Sequence, residues 1–446
     1  MKKNKLLIIG LDCAPPELVF DEFIEFLPNI KRLVENGIYG KLKSSNPPIT
    51  LPAWMVMATG KSPGELGIYG FRHRKNYSYE DIWIASSLAV KEQTVWDILS
   101  ENDKKVCIIG VPPTYPPKKV NGYLISGFLT PDISKKYTYP SDFKYEIKKE
   151  IGEYIPDVKD FRTDDKDRLI EQIYEMTDKR FKLIKYMIKN KGWDFFWFVE
   201  MGPDRIHHGL WKFHDKNHHL FEPGSKYIDT IKNYYIYLDK RIGELLNILD
   251  ENTKIMIVSD HGAKRMKGCL CINQWLINEG YLKLLEKPER GISLSKAKID
   301  WKNSKAWGWG GYYARIFLNV KGREMSGTIE PDDYEKLRDD LALKLKNIKG
   351  PNGEILNTEV LKPDEIYDKC EGDYPDLMVY FDNLYWRSAG TIGYPSIYLS
   401  ENDTGPDDAV HSKYGIFIFY DPKKDLGYKI DNLSLYDIAP NILNIM

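Results

Sequence analysis

Five cysteines in 446 residues, Cys13, Cys107, Cys269, Cys271 and Cys370, are an odd and scattered set, which argues against a disulfide framework. Cys269 and Cys271 lie one residue apart without a matching second pair, so a paired-thiolate zinc module is not indicated either. No apolar run reaches the ~18 residues that a membrane span needs. The opening MKKNKLLIIGLD has lysines and then an apolar stretch, but that stretch is about six residues long, too short for a secretion signal. The expectation is a cytoplasmic protein. A formal net charge of −1 offers no basic surplus for a nucleic-acid polymer, so any recognition of phosphate has to be local. There is no internal repeat and no low-complexity tract, which removes solenoids and linker-like chains.

What is present is a chain long enough for one large α/β domain with insertions. Short apolar runs bounded by turn residues recur: LLIIGL at 6–11, VCIIGV at 106–111, FFWFV at 195–199, IMIVS at 255–259 and GIFIFY at 415–420. Runs of this length without alternation are what strands buried on both faces look like. Between them lie amphipathic helices. Ile170, Ile173, Thr177, Phe181, Ile184 and Ile188 recur at spacings of three or four, and so do Ile228, Ile231, Tyr235, Leu238, Ile242, Leu245 and Leu249. The expected fold class is α/β: a mostly parallel central sheet covered by helices on both faces. Two stretches break the rhythm. Residues near 130–165 are polar and punctuated by proline, and residues 264–375 mix loops, a basic segment and a helix expected over 333–346. The core is therefore expected in 1–263 and 376–446, and an inserted cap in 264–375.

Ligands of open α/β sheets gather at the carboxyl ends of the strands. Asp12 directly follows the first run, Asp260 and His261 follow IMIVS, and Asp204 with His208 lie just past FFWFV. His411 precedes GIFIFY and would need a loop folded back over the same edge. Any single Asp in such a place is more often a helix cap. Jointly, three Asp and three His make enough donors for two zinc-like ions, with manganese or iron also suited to carboxylate and imidazole. In GPDRIHHG, Asp204 and His208 are four apart, so on a helix they share a face while His207 points elsewhere. The further histidines His214, His218 and His219 read more simply as a solvated face.

The segment NPPITLPAWMVMATG places the hydroxyl of Thr50 two residues before Pro52, at about the N-cap of a short apolar helix ending near Gly60. Helix dipole and first-turn amides there favour an anion. Thr50 thus reads either as a plain cap or as a nucleophile toward a phosphoryl group held at that helix end.

Taken in order, GLD, ITLPAW, GPDRIHHG, SDHG and a distant His before GIFIF resemble the alkaline phosphatase superfamily, and within it the type I phosphodiesterase and nucleotide pyrophosphatase branch. VPPTYPPKKVNGYLISGFLTPD, INQWLINEGYL, DYPDLMVYF and LYDIAPNIL extend the resemblance over nearly the whole chain. It implies an alkaline phosphatase-like core and hydrolysis of small phosphate esters through a covalent phosphothreonine on Thr50. It also implies that Asp204, His208 and His411 hold one divalent ion, zinc by donor type, and that Asp12, Asp260 and His261 hold a second that touches Thr50.

One departure concerns the phosphate contact. Branch members often carry a His-Gly pair and then an Asn after the nucleophile helix, whereas here the stretch reads ELGIYGFRHR. Arg72, His73 or Arg74 is the candidate replacement, Arg being suited to two phosphate oxygens at once. The aromatic run WGWGGYYARIF at 307–317 reads either as a stacking surface or, more simply, as a strand with an aromatic apolar face. Two rival functions stay in view: a phosphomutase like the cofactor-independent phosphoglycerate mutase, and a non-catalytic binding protein that keeps metals as supports.

Overall fold

A computed structural model of the chain describes residues 4–446. These divide into two compact units. The first comprises the described residues up to Gly70, Ala85–Lys264 and His411–Met446; the second comprises Phe71–Ile84 and Arg265–Val410.

The first unit is built on a ten-stranded sheet. Its strands are β1 (Lys5–Leu11), β2 (Ile38–Lys43), β3 (Val106–Ile109), β4 (Gly122–Ile125), β5 (Thr138–Tyr139), β6 (Phe195–Glu200), β7 (Thr253–Val258), β8 (Tyr414–Tyr420), β9 (Tyr428–Lys429) and β10 (Leu433–Ser434). They lie in the order β9-β2-β8-β7-β1-β6-β3-β4-β5, with β10 also on β2. The central strands β7, β1, β6, β3 and β4 are parallel, as continuous apolar runs demand when both faces are covered. β8 is the exception that matters, because it runs antiparallel to both β7 and β2. Every residue of β6 and all but the first of β1 are buried.

Helices cover the sheet. They include α1 (Pro28–Asn36), α2 (Thr50–Thr59), α3 (Lys166–Asn190), α4 (Gly202–His214) and α5 (Thr230–Leu246). In α3, Ile173, Thr177, Phe181 and Ile184 of the expected stripe are buried while Ile170 and Ile188 are only half-buried, the buried face being completed by Leu169, Met176, Arg180, Leu183 and Met187; Asp165 caps the helix start by accepting from the Arg168 amide. α2 has no amphipathic stripe, since nine of its ten residues are buried. Pro52 sits in its first turn, where a missing N–H costs nothing, and Gly60 ends it at φ 71°, a conformation that glycine adopts without strain. Within the expected polar insertion, β5 is followed by a helix over Phe143–Ile151. Among the described residues, no helix is long and apolar enough to cross a membrane.

The second unit is larger than the 264–375 cap expected from the sequence. An antiparallel sheet pairs Ala306–Trp309, Ala314–Leu318, Leu377–Tyr380 and Glu359–Leu361, so the chain beyond 375 is tied in through its ladder bonds. The hairpin Arg72–Arg74 with Ile82–Ile84 joins it from far upstream. The aromatic run forms strands of that sheet: Trp307 and Phe317 are cross-strand partners and both are buried, with the helix Tyr334–Lys346 packing Leu341 and Leu345 into the same core. Its aromatic residues supply apolar area to the interior of this unit.

Candidate metal centre

All seven residues expected at the site fall in the first unit, and all are buried, Thr50 being the most exposed at 4%. β1 ends at Leu11, and the Asp12 amide donates to Glu200 O at 3.0 Å, holding the turn against the end of β6. β7 ends at Val258, and its exit is pinned by side chains: Ser259 Oγ donates to His261 O at 2.6 Å and accepts from the Ala14 amide at 2.8 Å, while Ser44 Oγ donates to Asp260 O at 2.6 Å. Asp204 stands in the first turn of α4, where the dipole favours a carboxylate. His208 follows one turn later on the same face. His411 arrives differently from the expected folded-back loop. Because β8 is reversed, its beginning already lies at the carboxyl edge of the parallel strands, and His411 sits three residues before it.

These placements bring the donor atoms together in two overlapping groups. Cys13, Asp204, His208 and His411 form one, and Asp12, Asp204 and His261 form the other, with the ligand atoms of each group within 4.8 Å of one another. Asp204 Oδ1 lies 3.3 Å from His208 Nε2 and 4.0 Å from His411 Nε2. His261 Nε2 lies 3.2 Å from Asp260 Oδ2, 3.9 Å from Asp12 Oδ1 and 3.3 Å from Thr50 Oγ1. The His261 and His411 rings stack at 3.8 Å. Asp204 thus belongs to both groups, while Asp260 stands beside the second through His261.

Electrostatically the cluster is poised for cations. Burial pushes the Asp12 carboxyl well above its ordinary value, and the nearby Asp204 adds to the push; burial and then Asp12 do the same to Asp260. Burial also acts on Asp204, but His208 and Arg205 outweigh it and hold this carboxyl well below the usual range. His261 is pulled down to about 4 by burial, and His411 is held low by burial and by His261 and His208, so both rings are neutral, the form that binds metal. His411 Nδ1 faces Pro48 O at 2.8 Å and His261 Nδ1 faces Gly262 O at 3.2 Å, which leaves each Nε2 lone pair turned into the cluster. Asp12 Oδ1 and Asp260 Oδ2 are buried and accept no hydrogen bond. Two orphaned carboxylate oxygens beside neutral imidazoles are what divalent ions would satisfy.

The description "type I phosphodiesterase / nucleotide pyrophosphatase" belongs to the family whose sequence profile matches residues 6–407. The chain belongs to this family. It is accordingly a hydrolase of the phosphodiesterase and pyrophosphatase type, from a metal-dependent family. No curated protein matches the chain significantly in sequence. Among solved structures, human ectonucleotide pyrophosphatase/phosphodiesterase 5 superposes with a TM-score of 0.58 at 12% identity, over 99% of this chain and 94% of that one. An inactive murine form of that protein, in complex with AMP, gives the same score and identity over 99% and 95%. At that identity the likeness is one of fold, the alkaline phosphatase-like α/β arrangement.

Within this family's framework the remaining expected residues can be placed. Thr50, expected at the N-cap of α2, is instead its first helical residue, and the N-cap position is taken by Ile49. The Thr50 hydroxyl faces His261. Arg72 and Arg74 lie in the second unit, where Arg74 is fully buried, pairs with Glu324 at 2.9 Å and packs on the Phe317 ring. A guanidinium so committed is a structural element of that unit, and Arg72 is exposed at the start of the hairpin. His207 packs on Tyr235, with Nε2 3.3 Å from its hydroxyl, while His214 faces Glu22 and His218 stacks on His219.

Three supports of this phosphodiesterase-family site escaped the sequence reading. Trp54 Nε1 donates to Asp12 Oδ2 at 2.7 Å, and it reaches there only because position 10 is glycine: a Cβ on Gly10 would lie 2.6 Å from the indole. Arg205 grips Asp157 through Nε and Nη2 at 2.8 and 2.7 Å and donates to Asp204 through Nη1. Cys13, dismissed when the cysteines were weighed as pairs, lies among the donors. The adjacency of Cys13 to Asp12 and of Arg205 to Asp204 was the available signal; the partners Trp54 and Asp157 are remote in sequence and had none.

Proposed function

We propose that this chain is a metal-dependent phosphodiesterase or nucleotide pyrophosphatase of small esters, with Thr50 as nucleophile. The observation that carries the reading is the Thr50 hydroxyl: Thr50 lies inside a buried helix rather than at its N-cap, and its Oγ1 stands 3.3 Å from His261 Nε2 at the helix start. Asp204, His208 and His411 would hold one divalent ion, and Asp12, Asp260 and His261 the other. When bound, such a pair lowers the pKa of a coordinated hydroxyl and neutralises phosphoryl oxygens.

The chain's own groups would do the rest. The first turn of α2 offers its dipole and backbone amides to the phosphoryl group beside Thr50. Thr50 Oγ1 forms a bond to phosphorus as the bond to the leaving alcohol breaks in line, and the departing oxygen takes up the proton that the hydroxyl released. Water then cleaves the Thr50 phosphoester and restores the hydroxyl. Neutral His261 and His411, each oriented through Nδ1 by a backbone carbonyl, keep their geometry through both steps. A murine structural neighbour is described in complex with AMP, which puts nucleotide diesters first among substrates to try. The compartment we propose is the cytoplasm, in keeping with five cysteines that form no disulfide.

The test is an activity panel on metal-loaded protein: bis-p-nitrophenyl phosphate, p-nitrophenyl phosphate, dinucleotides, nucleotide sugars and cyclic nucleotides, each with chelator and with Thr50→Ala. Turnover of a diester that chelator and Thr50→Ala both abolish supports the reading. No turnover of any ester with any of zinc, manganese or iron, in protein shown to be folded, sinks it and returns a non-catalytic role.

A further inference from the structure

We infer that Cys13 is a metal ligand of this chain, its thiolate joining Asp204, His208 and His411 around one ion. This rests on the two-metal reading above and deepens it by adding a soft donor. Cys13 directly follows Asp12 and is fully buried. Its Sγ lies within 4.8 Å of the ligand atoms of Asp204, His208 and His411, each of those atoms being equally close to the others. The backbone keeps it there: the Cys13 amide donates to Asp260 Oδ1 at 3.1 Å, and the next amide donates to Ser259 Oγ at 2.8 Å. The thiol donates to Gly262 O at 3.5 Å, and because S–H is a weak donor this is a weak contact to give up.

Independent of the sulfur, the same pocket contains Asp12 Oδ1 and Asp260 Oδ2, both fully buried and without a hydrogen-bond partner, which already calls for cations there. A sulfur among them changes which cation. Carboxylate and imidazole alone accept manganese, iron or zinc, whereas a thiolate tilts the choice toward zinc, cobalt or cadmium. On binding, the thiol proton is released to solvent, so uptake at this position is accompanied by one additional proton released per ion.

Cobalt reads the sulfur directly. The full-length protein is stripped with chelator, loaded with Co2+, and its bound cobalt counted alongside its near-ultraviolet absorption, where thiolate-to-cobalt charge transfer appears. The comparison is Cys13→Gly, a change suited to the residue's φ of 64°. The inference expects the band in the native chain and its loss in Cys13→Gly while cobalt still binds, with the preference for zinc over manganese reduced about 10-fold or more, the size typical when the surroundings of a metal are altered. Two cobalt ions bound without the band, or a band that persists in Cys13→Gly, overturns the assignment of Cys13 and leaves the two-metal reading standing. No cobalt bound by folded native protein overturns the two-metal reading itself, and the inference with it.

Discussion

Replacing Trp54 by phenylalanine takes one donor away from a buried carboxylate and little else. The indole Nε1 is 2.7 Å from Asp12 Oδ2, while Oδ1 of the same carboxylate accepts no hydrogen bond. Trp54 is the group that fixes which way Asp12 faces. A hydrogen bond to a charged acceptor contributes about 1.5–3 kcal/mol, so its loss corresponds to a drop in metal affinity of about 10- to 150-fold. That range overlaps the roughly 10- to 100-fold seen when the partner of a metal ligand is removed. The ring also packs edge-on against Trp197 at 6.2 Å, so some stability will be lost to the smaller side chain. Two measurements separate the effects: denaturant unfolding of the metal-free protein reads the packing loss, and competition against a chromophoric chelator reads metal affinity. Metal affinity within about twofold of the native value, alongside a normal packing loss, would refute the role given to Trp54 in orienting Asp12.

His411→Ala, made in the Cys13→Gly background so that only Asp204 and His208 of that group remain, is expected to reduce bound metal by about one ion per chain, because three protein donors are the usual minimum for a catalytic ion; elemental analysis after gel filtration reads it, and retention of both ions removes His411 from the ligand set. In the second unit, burial and then Arg315 pull His73 down to about 3, so its ring stays neutral in the folded chain while the unfolded ring protonates near its ordinary value. A lowered folded value means the contribution is present above pH ~6.5 and is lost as pH falls toward 3. Between pH 6.5 and 5 the loss is about 2 kcal/mol, and His73→Gln should flatten the pH dependence of unfolding by that much; an unchanged slope contradicts it.

Much of this was legible in the sequence for one physical reason. Parallel strands buried on both faces must be continuous apolar runs, and a polar residue immediately after such a run lies at the ligand-binding edge. Asp12, Asp260 and His261 could be read that way, and Asp204 with His208 by helical spacing. His411 could not be located by the same rule, because strand direction leaves no mark in an apolar run; only pairing with β7 and β2 reveals that β8 is reversed. The orientation of Thr50 was equally hidden, since a threonine before a helix looks the same whether its hydroxyl caps the amides or turns to His261. Arg74 shows the converse: a basic residue in a loop-like stretch reads as a free arm until Glu324, 250 positions on, is seen to hold it. The second unit outgrew its expected borders through the same kind of remote contact, the pairing of Leu377–Tyr380 with Ala314–Leu318 and the tie of Arg74 to Glu324.

The proposal stands or falls on a covalent bond at one atom, Thr50 Oγ1. Metal-loaded protein is mixed with a nucleotide diester, quenched in acid within the turnover time, digested, and the peptide spanning NPPITLPAWMVMATG is weighed by mass spectrometry. The predicted result is a phosphoester on Thr50 that retains one alcohol of the substrate, absent with chelator and absent from Thr50→Ala. Turnover of the diester by Thr50→Ala at the native rate, with no adduct on the native peptide, would contradict it.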